Sequence, residues 1–319
     1  MFTSIWNDIK QQFSHGNTLT RIILVNIAVF VVVTIVKLIL MPVEKGFTSD
    51  DFVYFFSIAS DPWHNLTHPW VFITHMFLHV GVFHILWNML LLYWFGRIVG
   101  DLLGDHRVLP IYLLAGLVGG LSYFIFAQVF TTGPLTFGSY ALGASAAFMG
   151  TIMVAGVMAP DYIISMMFLG DVRLKYIVAV FMLLDLVAIS SNSNTGGSFG
   201  HLGGALMGYV IARQLQQGND LTAPVNELLH KITSFFNDLF SNEKPRPKMA
   251  YKNPKVKQKQ KTATSRPRTK SSNRGNRSSD SQNLSHQEKV DAILDKIKES
   301  GYESLSKEEK EYLFNASKK

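Results

Sequence analysis

Gly143-Ala144-Ser145-Ala146-Ala147-Phe148-Met149-Gly150 opens an apolar run that continues to residue 159, and its one polar side chain over these eight residues is a hydroxyl. A second run, Gly200-His201-Leu202-Gly203-Gly204, sets one imidazole among glycines near the start of another apolar segment. A lone serine or histidine in such surroundings is ordinarily packing. A serine opening one small-residue helix, with a histidine near the start of another, makes a nucleophile and its base. Ala146 and Gly150, and Gly204 and Gly208, are small residues spaced four apart. Stripes of this kind let two helix backbones approach closely, which is what brings a hydroxyl within ~3 Å of an imidazole.

Working outward, the chain has 319 residues, 48% hydrophobic and 17% charged, with the apolar residues clustered. Six stretches are candidates to cross a bilayer, near residues 22–41, 71–95, 109–130, 143–159, 176–190 and 199–216. A spanning helix needs ~20 residues, with a lower limit of about 17. The fifth stretch is short and is expected to begin earlier, with Arg173 and Lys175 snorkelling to the interface. The first is too long for a signal-peptide core and has no small-residue cleavage site, so it is read as retained. Six such stretches together argue against buried helices of a soluble protein. The expected fold class is an all-α polytopic membrane protein.

Loop charge sets the expected orientation. Arg97 and Arg107 follow the second stretch, Arg173 and Lys175 follow the fourth, and Arg213 ends the sixth. On the opposite side only Lys45 clearly lies in a loop, and segments 131–142 and 191–198 carry no Lys or Arg. Positive loops stay in the cytoplasm, so both termini are expected there. Ser145 and His201 then lie a short way in from the outer surface. The chain has no cysteine, which excludes thiol catalysis, disulfides and Cys-ligated zinc.

The flanks read differently. Residues 1–20 are expected to hold an interfacial helix, with Phe2, Ile5, Trp6, Ile9 and Phe13 on one face. Residues 21–217 form the six-helix membrane domain. Residues 218–240 are an amphipathic juxtamembrane helix presenting Leu228, Leu229, Ile232, Phe235 and Phe236. Either amphipathic face is equally suited to packing on the helical core. Residues 241–284 contain 13 basic and 2 acidic residues, a balance of +11 against +7 for the whole chain. Such a linker cannot bury enough apolar area to fold and is expected to be disordered. Anionic lipid is the preferred reading of its charge, over nucleic acid. Residues 285–319 read as a small helical hairpin with Val290, Ile293, Leu294 and Ile297 at helical spacing, and Ser306 and Glu309 forming a capping box. It suits an unknown partner rather than catalysis.

The second stretch carries His75, His79, His84 and Asn88. Polar groups at membrane depth are costly and are usually functional or paired. Three readings compete. Metal ligation is the weakest, because His79 and His84 are five apart with no carboxylate, unlike His-Glu-x-x-His. Structural hydrogen bonding suits His79 and also His75. Donation to an oxyanion suits His84 and Asn88, which are four apart and share a helical face.

The order His79-x4-His84-x3-Asn88, Gly143-x-Ser145 and His201-x-Gly203-Gly204 resembles the rhomboid intramembrane serine proteases over about residues 20–216. The resemblance implies a six-transmembrane-helix bundle with a water-filled cavity open to the outer side. It implies Ser145 as nucleophile and His201 as general base and acid, a dyad with no essential acid, cofactor or metal. It implies an oxyanion site of His84, Asn88 and backbone amides near Ser145, that of Ala144 among them. His79, Gly143, Met149, Gly204 and Gly208 would support the site. Substrates would be single-span membrane proteins, and the location a bacterial inner membrane. Two departures stand out. Ala146 occupies a position where the family often has Gly, and Met149 one where an aromatic residue often packs on the histidine; a thioether can fill that contact. The outer loop at 42–70 lacks a clear Trp-Arg pair. Asp185, the one carboxylate buried in a span, is expected to be structural or cavity-lining rather than a third catalytic member. The rivals are a catalytically silent helix-binding relative, and a transporter or metal channel using His75, His79 and His84; no inverted repeat supports the latter.

Overall fold

The computed structural model describes residues 10–13, 16–42, 46–130, 135, 137–166, 170–240, 286–300 and 304–316. Most of the expected N-terminal interfacial helix, Lys45 and the whole basic linker lie outside them. The chain divides into two compact units, Met1–Pro245 and Arg246–Lys319.

In the first unit, α1 spans Thr18–Leu40. Asn17 caps it by accepting the Thr20 amide at 2.9 Å, and the Thr18 amide donates to both Asp105 oxygens at 2.9 Å. A carboxylate at a helix start satisfies orphan amides and complements the dipole. Then come α2 (Ser49–Phe56), β1 (Ile58–Ala59), α3 (Pro62–Thr67) and α4 (Val71–Thr74). A 3₁₀ turn at His75–Phe77 precedes α5 (Val82–Leu103), and another at Asp105–Arg107 leads into α6 (Val108–Val129). The bundle continues with β2 (Tyr140–Ala141), α7 (Ser145–Met158), the hairpin β3 (Ile163–Met166) and β4 (Gly170–Arg173), α8 (Leu174–Ser190), α9 (Thr195–Gln216) and α10 (Ala223–Phe240). β1 pairs antiparallel with β2, Ile58 opposite Ala141, which ties the segment after α2 to the approach to α7.

Among the described residues three helical runs are long and apolar enough to cross a membrane: Thr18–Leu40, Val82–Leu103 and Asp105–Val129. α7 is apolar but has 14 residues, α8 has 17, and α9 carries six glycines that dilute its hydropathy. α7 is the central helix, in contact with α5, α6, α8 and α9. Its residues from Ala146 to Ile152 are all buried. A helix apolar on every face belongs in such a place. A short chain of buried hydrogen bonds links three elements: Asn26 of α1 donates to the Ile22 carbonyl at 2.9 Å and to the Tyr112 hydroxyl at 3.3 Å, and Tyr112 donates to the Met76 carbonyl at 2.6 Å.

The second apolar stretch departs from expectation. It is not one helix over 71–95 but α4, a 3₁₀ turn, an extended segment and then α5 from Val82. Val71, Met76 and Leu78 are buried inside the protein. Non-helical backbone at membrane depth is tolerated in that situation. His75 and His79 therefore share no helical face, whereas His84 and Asn88 both lie on α5.

At the other end, Arg107 joins the α5–α6 junction to the segment after α9 through Asp220, at 2.8 Å. Burial opposes ionisation of Asp220, but the Thr222 hydroxyl and amide and the Arg107 guanidinium outweigh it and hold the carboxyl below its ordinary range. A depressed carboxyl stabilises the fold above its unfolded pKa, and the benefit is lost as pH falls through the lower folded value. Asp220→Ala should cost about 1–2 kcal/mol at pH 7, a gap that thermal unfolding should show closing below about pH 4.

The second unit contains α11 (His286–Ser300) and α12 (Lys307–Ala316). Ser306 and Glu309 make a reciprocal capping box at 3.2 and 2.7 Å, and Lys296 pairs with Glu309 at 2.8 Å.

Candidate active site

Ser145 is the first residue of α7, and no side chain caps that helix start. The loop before it turns at Gly143, whose φ of +121° a side-chain-bearing residue rarely adopts. A Cβ there would also lie 2.9 Å from His84 Cε1 and Nε2 and 3.9 Å from the Ser145 hydroxyl. Glycine thus lets the His84 ring and the serine flank the same backbone position. The loop is fixed from the 3₁₀ turn and extended segment before α5: the Gly143 amide donates to the His75 carbonyl at 2.8 Å, and the Ala144 amide donates to His79 Nε2 at 3.3 Å.

The Ala144 amide is thus engaged by His79, while the first-turn amides of α7 carry no side-chain cap. His79 is fully buried and its ring lies edge-on to that of His84, 5.0 Å between centroids. His75 is also buried, its Nδ1 bonded to the Val71 carbonyl at 2.8 Å. Among the described residues no group of three or more His, Cys, Asp or Glu is placed to hold a metal ion. Asn88 donates one amide hydrogen to the His84 carbonyl at 2.9 Å, which leaves the second for another acceptor.

α9 approaches α7 backbone to backbone. A Cβ on Gly204 would collide with the Ala146 carbonyl, and one on Gly208 with the Gly150 carbonyl. This seam sets the separation between the helix bearing Ser145 and the helix bearing His201. Both residues line a cavity of about 830 Å³, together with His84, Asn88, Met149 and Asp185. Both also line a smaller void of about 30 Å³ beside Gly143 and Gly200, about the room one water occupies in the liquid. The larger cavity lies at the end of the bundle where α5, α7 and α9 begin, with Tyr140, Leu142 and Thr195 on its walls.

His201 Nδ1 is 2.7 Å from Asp185 Oδ1 of α8. An ionised carboxylate can only accept, so Nδ1 donates and Nε2 is left as an acceptor. Asp185 was expected to be structural or to line the cavity; it does line the cavity, and it also holds the imidazole. The sequence displays the carboxylate, but no helical period relates it to a histidine on the next helix. Met149 is buried at the cavity wall. The set can deliver a serine hydroxyl, an oriented imidazole and several neutral donors to one water-accessible space.

The Rhomboid domain family matches residues 66–217, and a family of unknown function (DUF6576) matches residues 280–319. The chain is similar to Rhomboid protease GluP of Bacillus subtilis (strain 168), 27% identical over 193 residues, 58% of this chain and 34% of that protein. RHOMBOID-like protein 12, mitochondrial, of Arabidopsis thaliana is 29% identical over 157 residues, 46% of each chain. Rhomboid-like protease 2 of Toxoplasma gondii is 28% identical over 152 residues, 48% of this chain and 50% of that one. The chain spans between a third and a half of the length of these relatives.

Proposed function

The chain belongs to the rhomboid family through its residues 66–217, and on that premise we propose that it is an intramembrane serine endopeptidase cutting single-span membrane proteins. The observation that carries this reading is that Ser145, at an uncapped helix start, shares two cavities with His201.

In the proposed reaction His201 Nε2 takes the hydroxyl proton as Ser145 Oγ bonds to the scissile carbonyl carbon. Negative charge builds on the carbonyl oxygen. His84, the spare Asn88 hydrogen and the first-turn amides of α7 stabilise it, helped by the positive end of the helix dipole. His201 returns the proton to the leaving amine, and water then hydrolyses the acyl-serine. No cofactor or metal is required. The six apolar stretches serve as six crossings, with α7, α8 and α9 completing the three longer ones. The basic loops face the cytoplasm, and the cavity opens on the opposite side of a bacterial inner membrane.

The test is direct. Full-length protein in proteoliposomes, treated with a fluorophosphonate, should carry the label on Ser145 when its peptides are mass-mapped, and should cut a single-span reporter. A folded protein that takes no label and leaves the reporter intact is a silent family member, and the enzyme reading then fails.

A further inference from the structure

We propose that Asp185 is a positioning residue for His201, so that the site operates as a serine–histidine–carboxylate triad rather than a dyad. The inference rests on the hydrolase reading above.

Three observations meet here. The Asp185–His201 bond is short, at 2.7 Å, and its side chains are 10% and 20% exposed. Much of the C-terminal half of α8 is exposed, with Val180, Leu183, Leu186 and Val187 more than half open, and Asp185 is the one buried residue beyond Val178. A carboxylate at membrane depth is costly and is kept where it has a partner and a task. Finally, Asp185, His201 and Ser145 line the same cavity, so the carboxylate sits at the reacting end of the bundle rather than in a remote packing layer.

The chemistry follows from the acceptor character of the carboxylate. It keeps hydrogen on Nδ1, orients the ring, and leaves the Nε2 lone pair for the Ser145 proton. When that proton arrives, the imidazolium is stabilised by the adjacent negative charge. Asp185 keeps its own charge throughout; the proton travels only from Ser145 Oγ to Nε2 and on to the leaving amine.

Asp185→Asn, Asp185→Ala and Asp185→Glu in the full chain should be compared for kcat, KM and fluorophosphonate labelling rate in proteoliposomes with a single-span reporter. An asparagine amide donates to Nδ1 and forces hydrogen onto Nε2, the wrong tautomer. Asp185→Asn should therefore lower kcat and labelling by about 10²–10⁴-fold, with KM within about threefold of wild type. Asp185→Ala, which admits water, should lose less, and Asp185→Glu should recover at least about tenfold over Ala. A merely structural carboxylate ranks them the other way, Asn mildest and Ala worst, with activity following the unfolding temperature. That ranking, or kcat of Asp185→Asn within about threefold of wild type, overturns the inference while leaving the hydrolase standing. Should Asp185→Asn not fold, Glu no better than Ala has the same force. A wild type that neither cuts nor labels overturns both.

Discussion

Ser145→Ala or His201→Ala is expected to lower reporter cleavage by about 10⁴–10⁶-fold, and the double variant to lose no more than either alone. On the proposed mechanism the serine oxygen forms the covalent bond, and the imidazole makes that oxygen nucleophilic. Remove the hydroxyl and the base has nothing to deprotonate. Remove the base and the hydroxyl remains protonated at neutral pH. Two groups acting in one step cannot contribute additively. About 10³-fold over the uncatalysed rate should survive in all three variants, because His84, Asn88 and the helix-start amides still surround the carbonyl oxygen. Initial rates with reporter in excess measure this. A double variant worse than the singles by the product of their losses would mean that the two side chains act independently.

The second large effect concerns Gly204. Its hydrogen faces the Ala146 carbonyl, whose carbon lies 2.8 Å from where a Cβ would stand. The obstruction is backbone and cannot rotate away. Gly204→Val must push α9 off α7, and with it His201 off Ser145. A displacement of ~1 Å is enough to cost about 10²-fold in rate, and overpacking of this kind destabilises by about 1–3 kcal/mol or more. We expect at least ~100-fold loss of labelling and a lowered unfolding temperature. Gly100 of α5 provides the contrast: a Cβ there meets Val108 Cγ2 at an ordinary 3.7 Å. Gly100→Ala should leave activity unchanged and raise helix stability by up to ~1 kcal/mol. Equal damage from both substitutions would show that the seam does not set the spacing of the site.

Much of this architecture is legible in the sequence because hydrophobic burial reports itself as composition. The run at 22–41 becomes Thr18–Leu40, and that at 143–159 becomes Ser145–Met158. Small residues four apart foretold a close helix pair, and Gly204 and Gly150 make it. The reading fails where apolar content and backbone path separate. Residues 71–81 are as hydrophobic as a helix but are folded against the protein, and Gly81, extended at φ −108° and ψ 142°, resets the chain before α5. Donor geometry was equally hidden. The sequence shows that an amide precedes Ser145, but not that His79, 65 residues earlier, accepts it. Asp185 was visible as an anomaly, yet its partner is defined only when α8 and α9 pack. Six helical stretches were expected to cross the bilayer; among the described residues three have the length and composition to do so.

The placement of His201 on α9 bears on biosynthesis. As the chain emerges from the ribosome, the proposed nucleophile Ser145 is made 56 residues ahead of its proposed base, and domains generally form from the N-terminal end first. Until α9 docks, its glycines have not met α7, the tautomer-fixing carboxylate has no ring to hold, and the serine is an ordinary alcohol. On the proposed mechanism, a half-assembled molecule is therefore inactive toward the nascent membrane proteins crowded around it.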